Sequence, residues 1–488
     1  MQNKLKYLLL FIVLSISAFT HLYRIDRTFI FHNDEARDVL IVKKMIDTGK
    51  PILLGPQTSV GNMYLGPIYY YFMTPALLIS DMDPVGPAVM VAIFAIATTL
   101  LLFLIGTKKF GLAGGVVASL FYALSPVMLH YSRSSWNPNV VPFFAVLLIM
   151  TIDMKNKWGW LVLGLCAGII FQLHYVALIM VGLVGLFKLK DKPKLIDLMF
   201  SLLGFILTSM PFWLFEFRHE FVNSQAFLTF LTEGSKNADL NSSYLSRLVS
   251  NLSLTIKGIV GSSSIAIVQM SNTVLIVSAV FLFLFLPILT KGYAFWYLMI
   301  GSALIVSFLK EHLNVHYISY LFPVVALSVA ALATSGHKII KFFTWVFIIF
   351  FVWWSIPSII YNIRTIDSIQ VKRAKATADY IVKEADGKKY NIVSTPGTYA
   401  TTIEYFLSLS DNPPTTAYEE LIFDICEGSP CPISDETTVL FYASGPTHPS
   451  IAEYLGHPSI NEYKPKRQIQ KNEQVSYDIW VATMTLVR

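Results

Sequence analysis

The stretch FHNDEARDVL (31–40) places two adjacent carboxylates, Asp34 and Glu35, just after an apolar run with the length of a membrane span. Residues 34–48 then repeat apolar side chains on one helical face, which predicts an amphipathic helix along the membrane surface. Asn33 is the expected N-cap, and acidic residues in a first helical turn gain ~0.3–1 kcal/mol from the helix dipole. By this local pattern alone, the two carboxylates need no role beyond starting the helix.

The composition is that of a membrane protein. Of the 488 residues, 54% are hydrophobic and only 14% are charged, whereas soluble domains usually carry about 25% charged residues. Several runs of about 20 residues are almost free of charge, and this is the length that crosses a bilayer as a helix. The net charge of +6 is therefore interpreted first as a topology signal, and no nucleic-acid partner is expected.

About eleven apolar runs are predicted to be transmembrane helices. They are 5–23, 85–107, 112–130, 140–153, 158–172, 175–187, 195–217, 272–290, 294–310, 317–335 and 342–362. With a cytoplasmic N terminus, every second connection is short and contains lysine, as the positive-inside rule requires of cytoplasmic loops. The first run also fits a signal peptide, although we expect an uncleaved helix; in either case the residues after it are exported.

An odd number of spans places the C-terminal region outside the cell membrane. From residue 363 the charge rises and the long apolar runs stop, which predicts a small α/β domain over 363–488. Its expected elements are a helix at 374–385 and strands at 390–395 and 437–444. Cys426 and Cys431 lie in this domain, where a disulfide is favoured over half of a metal site.

The predicted fold class is thus a polytopic α-helical membrane protein with a C-terminal extracytoplasmic α/β domain. The transmembrane module covers 1–362 and includes a first external loop, 24–84, that carries the surface helix. The chain is expected in the cell membrane, with its active site on the extracytoplasmic side.

The first external loop continues as GPQTSVGNMYLGPIYYYFMTP (55–75), with a Gly-Pro turn and several tyrosines that end against the membrane. Together with NDEA at 33–36 and the number of spans, this loop resembles the membrane glycosyltransferases of the GT-C superfamily. The branch it is most similar to contains the protein O-mannosyltransferases and the lipid A aminoarabinose transferases. The resemblance implies a GT-C-like fold and places Tyr64 and Tyr69 among the substrate-binding residues.

The resemblance also implies a sugar donor carried on a polyprenyl phosphate in the outer leaflet. A carboxylate at the membrane surface then accepts the proton of an acceptor hydroxyl while that oxygen attacks the anomeric carbon. Hydrogen-bond donors stabilise the leaving lipid phosphate. By resemblance Asp34 is the general base, and Glu35 supports it or joins it in holding a divalent metal ion. The acceptor is a protein, a lipid or a glycan, and the expected stereochemical outcome is inversion.

Three other predicted external ends supply candidate substrate-binding residues. They are HYSRSSWNPN (130–139), the His-Tyr pair at 174–175, and KEHLNVHY (310–317). The candidates are Arg133, Asn137, His174, Tyr175, Lys310, His316 and Tyr317. Each also has a structural explanation, because arginine anchors helices at the interface and polar pairs close helical hairpins. Arg133, with help from the 310–317 segment, is the expected ligand of the donor phosphate.

Two alternatives use other features of the sequence. Asp81-Met82-Asp83 matches the DxD pattern of nucleotide-sugar transferases, but Asp83 before Pro84 is better explained as a helix cap followed by a first-turn proline. The competing class of protein is a membrane transporter or lipid-linked sugar flippase. Such proteins place ionisable groups near the bilayer midplane, whereas the apolar runs here are nearly free of charge in their middles. A glycosyltransferase is therefore the preferred prediction.

Overall fold

The computed structural model describes residues 2–58, 63–233, 242–260, 293–310, 313–364, 369–394, 400–415, 419–431 and 467–486. The chain folds into two units. The first, called the helical unit, contains Met1–Thr28, Ile52–Phe72 and Pro87–Thr365. The second, called the mixed unit, contains Phe29–Pro51, Met73–Gly86 and Ile366–Arg488. The sequence predicts Phe29–Pro51 as part of the transmembrane module, but the structure groups it with the C-terminal residues.

The described part of the chain is mostly helical. Its α-helices are α1 (Gln2–Leu22), α2 (Ile25–Thr28), α3 (Asn33–Thr48), α4 (Ile68–Ile79), α5 (Val85–Ala123), α6 (Pro126–Tyr131), α7 (Val141–Thr151), α8 (Lys157–Leu173), α9 (Leu178–Leu189), α10 (Leu195–Arg218), α11 (Val222–Glu233), α12 (Tyr244–Val260), α13 (Tyr293–Val306), α14 (Phe322–Ala333), α15 (Lys338–Arg364), α16 (Ile369–Ala385) and α17 (Ala400–Ser408). Short 3-10 helices cover Asn137–Val140, Tyr175–Ala177 and Val315–Leu321.

Apolar helices occur wherever a predicted span falls within the described residues. Five are long and apolar enough to cross a membrane, namely Asn3–Leu22, Val85–Ala123, Leu195–Arg218, Val315–Ala333 and Lys338–Arg364. Shorter apolar helices cover Ile68–Ile79, Asn137–Thr151, Lys157–Leu173, Tyr175–Leu189 and Ala294–Val306. The predicted span 272–290 lies outside the described residues.

The predicted spans 85–107 and 112–130 meet in a turn of one residue within α5. Gly111 has φ 75° and ψ 179°, a backbone conformation that glycine adopts readily. The helix folds back there, so that a Cβ atom on Gly106 would lie 2.8 Å from the carbonyl oxygen of Gly114. Glycines at this contact therefore let the two arms pack backbone against backbone.

A second close backbone contact positions α8, which ends next to His174. A Cβ atom on Gly164 of α8 would lie 1.9 Å from the carbonyl oxygen of Ser201 in α10. A Cβ atom on Gly204 would lie 2.5 Å from the carbonyl oxygen of Leu161. Because only hydrogen fits at both positions, this contact fixes the register between the two helices.

The mixed unit contains a four-stranded sheet with the order β1-β2-β4-β3. Its strands are β1 (Tyr390–Ser394), β2 (Leu421–Glu427), β3 (Arg467–Ser476) and β4 (Ile479–Leu486). β1 pairs with β2 in parallel, and β4 pairs with β2 and β3 antiparallel. Ala378 and Ile381 of α16 share a buried core with Phe423 of β2. A disulfide joins Cys426 in β2 to Cys431.

The structure confirms the helix and the first strand predicted for this region, since 374–385 lies within α16 and 390–395 contains β1. β2, β3 and β4 were not predicted, and the predicted strand 437–444 lies outside the described residues.

Aromatic contacts explain why Phe29–Pro51 belongs to the mixed unit. The buried ring of Phe31 lies 6.0 Å from the ring of Tyr405 and 6.2 Å from that of Phe406, both in α17. The Tyr405 hydroxyl donates a hydrogen bond to the carbonyl oxygen of Met82. Three segments that are distant in sequence therefore meet at α17, next to α3.

Candidate functional site

The start of α3 is formed differently from the sequence prediction. The N-cap is His32, and the helix begins at Asn33, so the predicted N-cap at Asn33 is wrong by one residue. The reason is Glu35, which stands at the third helical position and accepts a hydrogen bond at Oε2 from the His32 N–H, 3.0 Å away. This reach of an N3 carboxylate back to the N-cap closes the first turn. Gly49 ends the helix with φ 65°.

Arg37 connects two carboxylates on the same helix. Its Nη1 donates to Oδ1 of Asp34 over 2.8 Å, while Nε and Nη2 donate to Oδ1 of Asp38 over 2.9 and 2.8 Å. The Asp34 side chain is 51% exposed, whereas that of Asp38 is 0% exposed. One carboxylate therefore faces the surroundings and the other anchors the arginine that holds it.

Burial changes the protonation equilibrium of Asp38 in the group formed by Asp34, Arg37 and Asp38. It raises the pKa of Asp38 to about 6, against the opposing effect of Arg37. At neutral pH the Asp38 carboxylate is therefore largely ionised and fixes the guanidinium. Arg37 occupies Oδ1 of Asp34, and Oδ2 has no hydrogen-bond partner in the described part of the chain. This second oxygen is the atom available to accept a proton.

These contacts do not fit a divalent ion shared by Asp34 and Glu35. Arg37 already neutralises Asp34, and the Glu35 carboxylate is turned toward the helix start. Among the described residues, three potential metal ligands come together only at Asp424, Cys426 and Cys431. The two cysteines there form a disulfide and so lack the thiolate that binds metal.

In the helical unit, the backbone of Tyr64 is held by side chains from two other segments. Oδ1 of Asn223 accepts from the Tyr64 N–H over 2.6 Å, and Nδ2 of Asn223 donates to the Tyr64 carbonyl over 2.8 Å. The hydroxyl of Tyr175 donates to the same carbonyl over 2.5 Å. Asn223 is itself positioned by Glu216 at the end of α10, whose Oε1 accepts from the Asn223 N–H over 3.2 Å. The structure thus brings the predicted residues Tyr64 and Tyr175 together.

Three predicted external ends converge in a group of rings, here called the His174 cluster: Trp136, His174, His316 and Tyr317. The ring centroids of His174 and Tyr317 are 5.0 Å apart, and those of Trp136 and His316 are 4.4 Å apart. His174 and His316 are separated by 6.2 Å. Burial, with a smaller effect of His316, lowers the pKa of His174, so its imidazole is neutral at physiological pH.

Arg133 is 1% exposed and binds the end of α1. Its Nη1 donates to the carbonyl oxygens of Thr20 and His21 over 3.0 and 3.1 Å. Its Nη2 donates to the carbonyl of Tyr23 over 2.8 Å and to the hydroxyl of Thr28. Burial lowers the pKa of Arg133 to about 10, which leaves the side chain cationic at neutral pH. These contacts give Arg133 the role of a helix C-cap.

The remaining candidates differ in their surroundings. Tyr69 is buried, and its hydroxyl lies 3.0 Å from Oγ of Ser135. Nδ2 of Asn137 donates to the carbonyl of Leu173 over 2.7 Å, which ties the end of α8 to the 136–140 segment. Lys310 is exposed.

Sequence reasoning missed Arg37, Asp38, Asn223 and Glu216. A signal existed for the first two, because Asp34, Arg37 and Asp38 have the i, i+3 and i+4 spacing that puts side chains on one helical face. Asn223 and its partner Tyr64 are 159 positions apart, and no local pattern links them.

Comparison with known proteins gives a match at the level of the fold. No protein-family model and no curated protein matches this sequence. The chain is similar to ArnT from Cupriavidus metallidurans in the apo state, with a TM-score of 0.59, 10% identity and coverage of 99% of this chain and 98% of that chain. ArnT bound to undecaprenyl phosphate matches with a TM-score of 0.57, 11% identity and the same coverage. An archaeal oligosaccharyltransferase, AglB from Archaeoglobus fulgidus, matches with a TM-score of 0.46 and 12% identity. This match covers 83% of this chain and 64% of the AglB chain.

The chain therefore has the fold of ArnT over nearly its whole length. The resemblance seen in Asn33–Ala36 and in the tyrosine-rich 55–75 segment is confirmed at the level of the fold.

Proposed function

From the ArnT-like fold as premise, we propose that this chain is a membrane glycosyltransferase. It transfers a sugar from a polyprenyl-phosphate donor to an acceptor hydroxyl on a protein, a lipid or a glycan. A solved structure of the same fold is that of ArnT bound to undecaprenyl phosphate, which supports this class of donor. The observation that carries the proposal is the Asp34 carboxylate, half exposed on a helix and held by Arg37.

We propose an eleven-span topology in which the start of α3 and the C-terminal residues lie outside the cell membrane. The distribution of lysines along the sequence supports this orientation. It would place Asp34 at the level of the outer leaflet, where a lipid-linked sugar presents its head group.

In the proposed reaction, Oδ2 of Asp34 accepts the proton of the acceptor hydroxyl as that oxygen attacks the anomeric carbon. The new bond joins the acceptor oxygen to this carbon. The bond from the carbon to the phosphate oxygen breaks, and the polyprenyl phosphate leaves with the bonding electrons. A single displacement of this kind inverts the configuration. Arg37 keeps Asp34 oriented throughout, since Asp38 anchors its guanidinium.

The leaving phosphate requires hydrogen-bond donors or cations. We assign this role to Lys310, His316 and Tyr317, with His174 beside them in the His174 cluster. We also propose that Tyr64, Tyr69, Tyr175 and Asn137 of the helical unit bind substrate. Arg133 acts by positioning α1, because both of its Nη atoms are already engaged with that part of the chain.

The test is the fate of the donor. In cells expressing the wild-type protein or the Asp34→Asn variant, polyprenyl-phosphate sugars and total glycans are compared by mass spectrometry. A transferase predicts that one lipid-linked sugar accumulates in the variant and one glycan species disappears. Purified wild-type protein in detergent is then given the lipid-linked sugar or the corresponding nucleotide sugar as sole donor. Transfer from the nucleotide sugar alone, or a donor that moves between leaflets without being consumed, contradicts the proposal.

A further inference from the structure

The helical unit has a cavity of about 410 Å³ at the end opposite to the His174 cluster. α8 runs from Lys157, near this cavity, to Leu173, next to His174. Its 17 residues span about 25 Å. α9 returns from Leu178 to Leu189, directly before the cavity residue Lys190. The cavity and the His174 cluster are therefore separated by the length of these helices.

The cavity combines basic side chains with aromatic walls. Its lining is Lys109, Phe110, Ile152, Asp153, Lys155, Phe187, Lys190, Asp191, Ala294 and Phe295. These residues come from four separate connections or helix ends, and lysines outnumber carboxylates. The same lysine-bearing connections are the ones that the positive-inside rule assigns to the cytoplasm.

The two carboxylates are already paired, and one is shared. Oδ1 of Asp153 lies 2.9 Å from Nζ of Lys109, and Oδ2 lies 3.2 Å from Nζ of Lys108. Asp191 lies 3.4 Å from Nζ of Lys155, whose side chain is 75% exposed. Because Asp153 serves two lysines, this side of the cavity keeps positive charge that its own carboxylates do not balance.

Lys190 adds a cation with a different environment. Its Nζ lies 4.6 Å from the ring centroid of Phe187 and 6.0 Å from that of Tyr297. Within the described part of the chain, no carboxylate lies within ion-pair distance of it. The aromatic faces hold the ammonium by cation–π attraction and leave its N–H donors free to bind an anion.

Apolar surface continues outward from this point on the same helix. Leu186 is 58% exposed and Leu189 is 48% exposed, and both lie on α9 beside Phe187 and Lys190. A ligand with a phosphate and acyl chains would place its phosphate among the lysines and its chains along these leucines. A soluble phosphate would leave the apolar rim uncovered.

We propose that this cavity binds the phosphate head group of an anionic phospholipid from the leaflet opposite to the proposed active site. Basic pockets between transmembrane helices are suited to such head groups. The proposal does not depend on the transferase reaction, since it concerns the other end of the helical unit and is tested by binding alone.

The test uses the purified full-length chain in nanodiscs or detergent, with native mass spectrometry to count retained lipids. Phosphatidylglycerol and phosphatidylcholine are supplied in competition. We expect preferential retention of phosphatidylglycerol, and about fivefold weaker retention for each cavity lysine removed. The variants are Lys190→Gln, which breaks no ion pair in the described residues, and Lys109→Gln/Lys155→Gln/Lys190→Gln.

The matched control is Lys192→Gln/Lys338→Gln/Lys341→Gln, which removes three exposed lysines at the same predicted membrane face outside the cavity lining. It should retain phosphatidylglycerol as the wild type does. Glycerol phosphate, added without lipid, tests a soluble ligand. Equal loss in the control and cavity variants, unchanged retention in the Lys190→Gln variant, or equal binding of glycerol phosphate and phosphatidylglycerol would each overturn the proposal.

Discussion

Arg37 donates two hydrogen bonds to Asp38, its immediate neighbour in the sequence, over 2.9 and 2.8 Å to the same oxygen. Adjacent residues on a helix normally point away from each other, so this contact requires the flexible arginine stem to bend back. The remaining terminal nitrogen then reaches Asp34. The orientation of the proposed base therefore depends on a carboxylate that has no contact with solvent.

Replacing Asp34 by asparagine should reduce transfer by about 10²–10⁴-fold, the usual contribution of general-base help. The matched control is Asp47→Asn on the same helix, because Asp47 is 54% exposed and is paired with Lys43 over 2.6 Å. Initial rates are measured with the lipid-linked donor after both variants have been shown to unfold at similar temperatures. Retention of more than a tenth of the activity by Asp34→Asn would show that another group is the base.

Asp38 should make stability depend on pH. Its pKa is raised from 3.8 in the unfolded chain to about 6 in the fold, so the folded state favours the protonated form. This contribution is complete below the unfolded pKa and is lost as the pH rises through about 6. We expect the decrease in unfolding temperature between about pH 4 and about pH 7 to be smaller in Asp38→Asn than in the wild type. Asp47→Asn should keep the wild-type slope, and an unchanged slope in Asp38→Asn would contradict the prediction.

Arg133→Lys should lower stability rather than donor binding. Lysine presents a point charge and cannot reproduce the arginine fork that binds three carbonyl oxygens at the end of α1. The loss should be about 1.5–3 kcal/mol for each hydrogen bond to the charged group that is broken. Unfolding temperature and donor KM are measured on the same preparation. A raised donor KM with an unchanged unfolding temperature would instead establish Arg133 as a phosphate ligand.

Asn223→Asp should destabilise the helical unit. The substitution removes the Nδ2–H bond to the Tyr64 carbonyl and adds a second carboxylate next to the buried Glu216. A cost of about 1–3 kcal/mol is expected for the lost partner alone, seen as a lower unfolding temperature. Asn314→Asp is the control, because Asn314 is an exposed N-cap where aspartate serves equally well. Equal unfolding temperatures for the two variants would show that the Asn223 contacts contribute little.

The disulfide gives a prediction about thiol reactivity. The chain has three cysteines, of which Cys166 is buried and free while Cys426 and Cys431 are joined. Protein denatured without reductant should therefore be alkylated only at Cys166, and after reduction at all three cysteines. Peptide mass spectrometry identifies the labelled positions. Alkylation of Cys426 or Cys431 before reduction would contradict the disulfide.

Local patterns in the sequence predicted those elements whose stability is local. The apolar runs became helices such as α8 and α10, because length and hydrophobicity are enough to specify a membrane helix. α3 was predicted from its amphipathic repeat, and its boundary was displaced by one residue because Glu35 caps from within the first turn. β4 pairs with β2 and with β3. The β2–β4 pairing joins segments that are far apart in the sequence, and the residue pattern within one strand does not indicate its partner.

Because consecutive membrane helices alternate in direction, the sequence predicts which helix ends lie on the same side of the membrane. The alternating hairpins predict His174 and His316 at the same face, and the structure places their ring centroids 6.2 Å apart, edge to face. Which polar group binds which was not predictable. The sequence predicts that Arg133 faces a phosphate. Its partners lie 105 to 113 positions earlier in the chain, and only the three-dimensional packing shows that they bind both of its Nη atoms.

The pairing between Asn223 and Tyr64 has a mechanical consequence. The Asn223 side-chain amide accepts a hydrogen bond from the Tyr64 N–H and donates one to the Tyr64 carbonyl. It therefore pairs with the Tyr64 backbone as one residue of a neighbouring β-strand would. These two hydrogen bonds connect the tyrosine-rich segment after Tyr64 to the corner between α10 and α11. If this segment moves to admit a bulky substrate, either the two hydrogen bonds must break or the α10–α11 corner must move together with the segment.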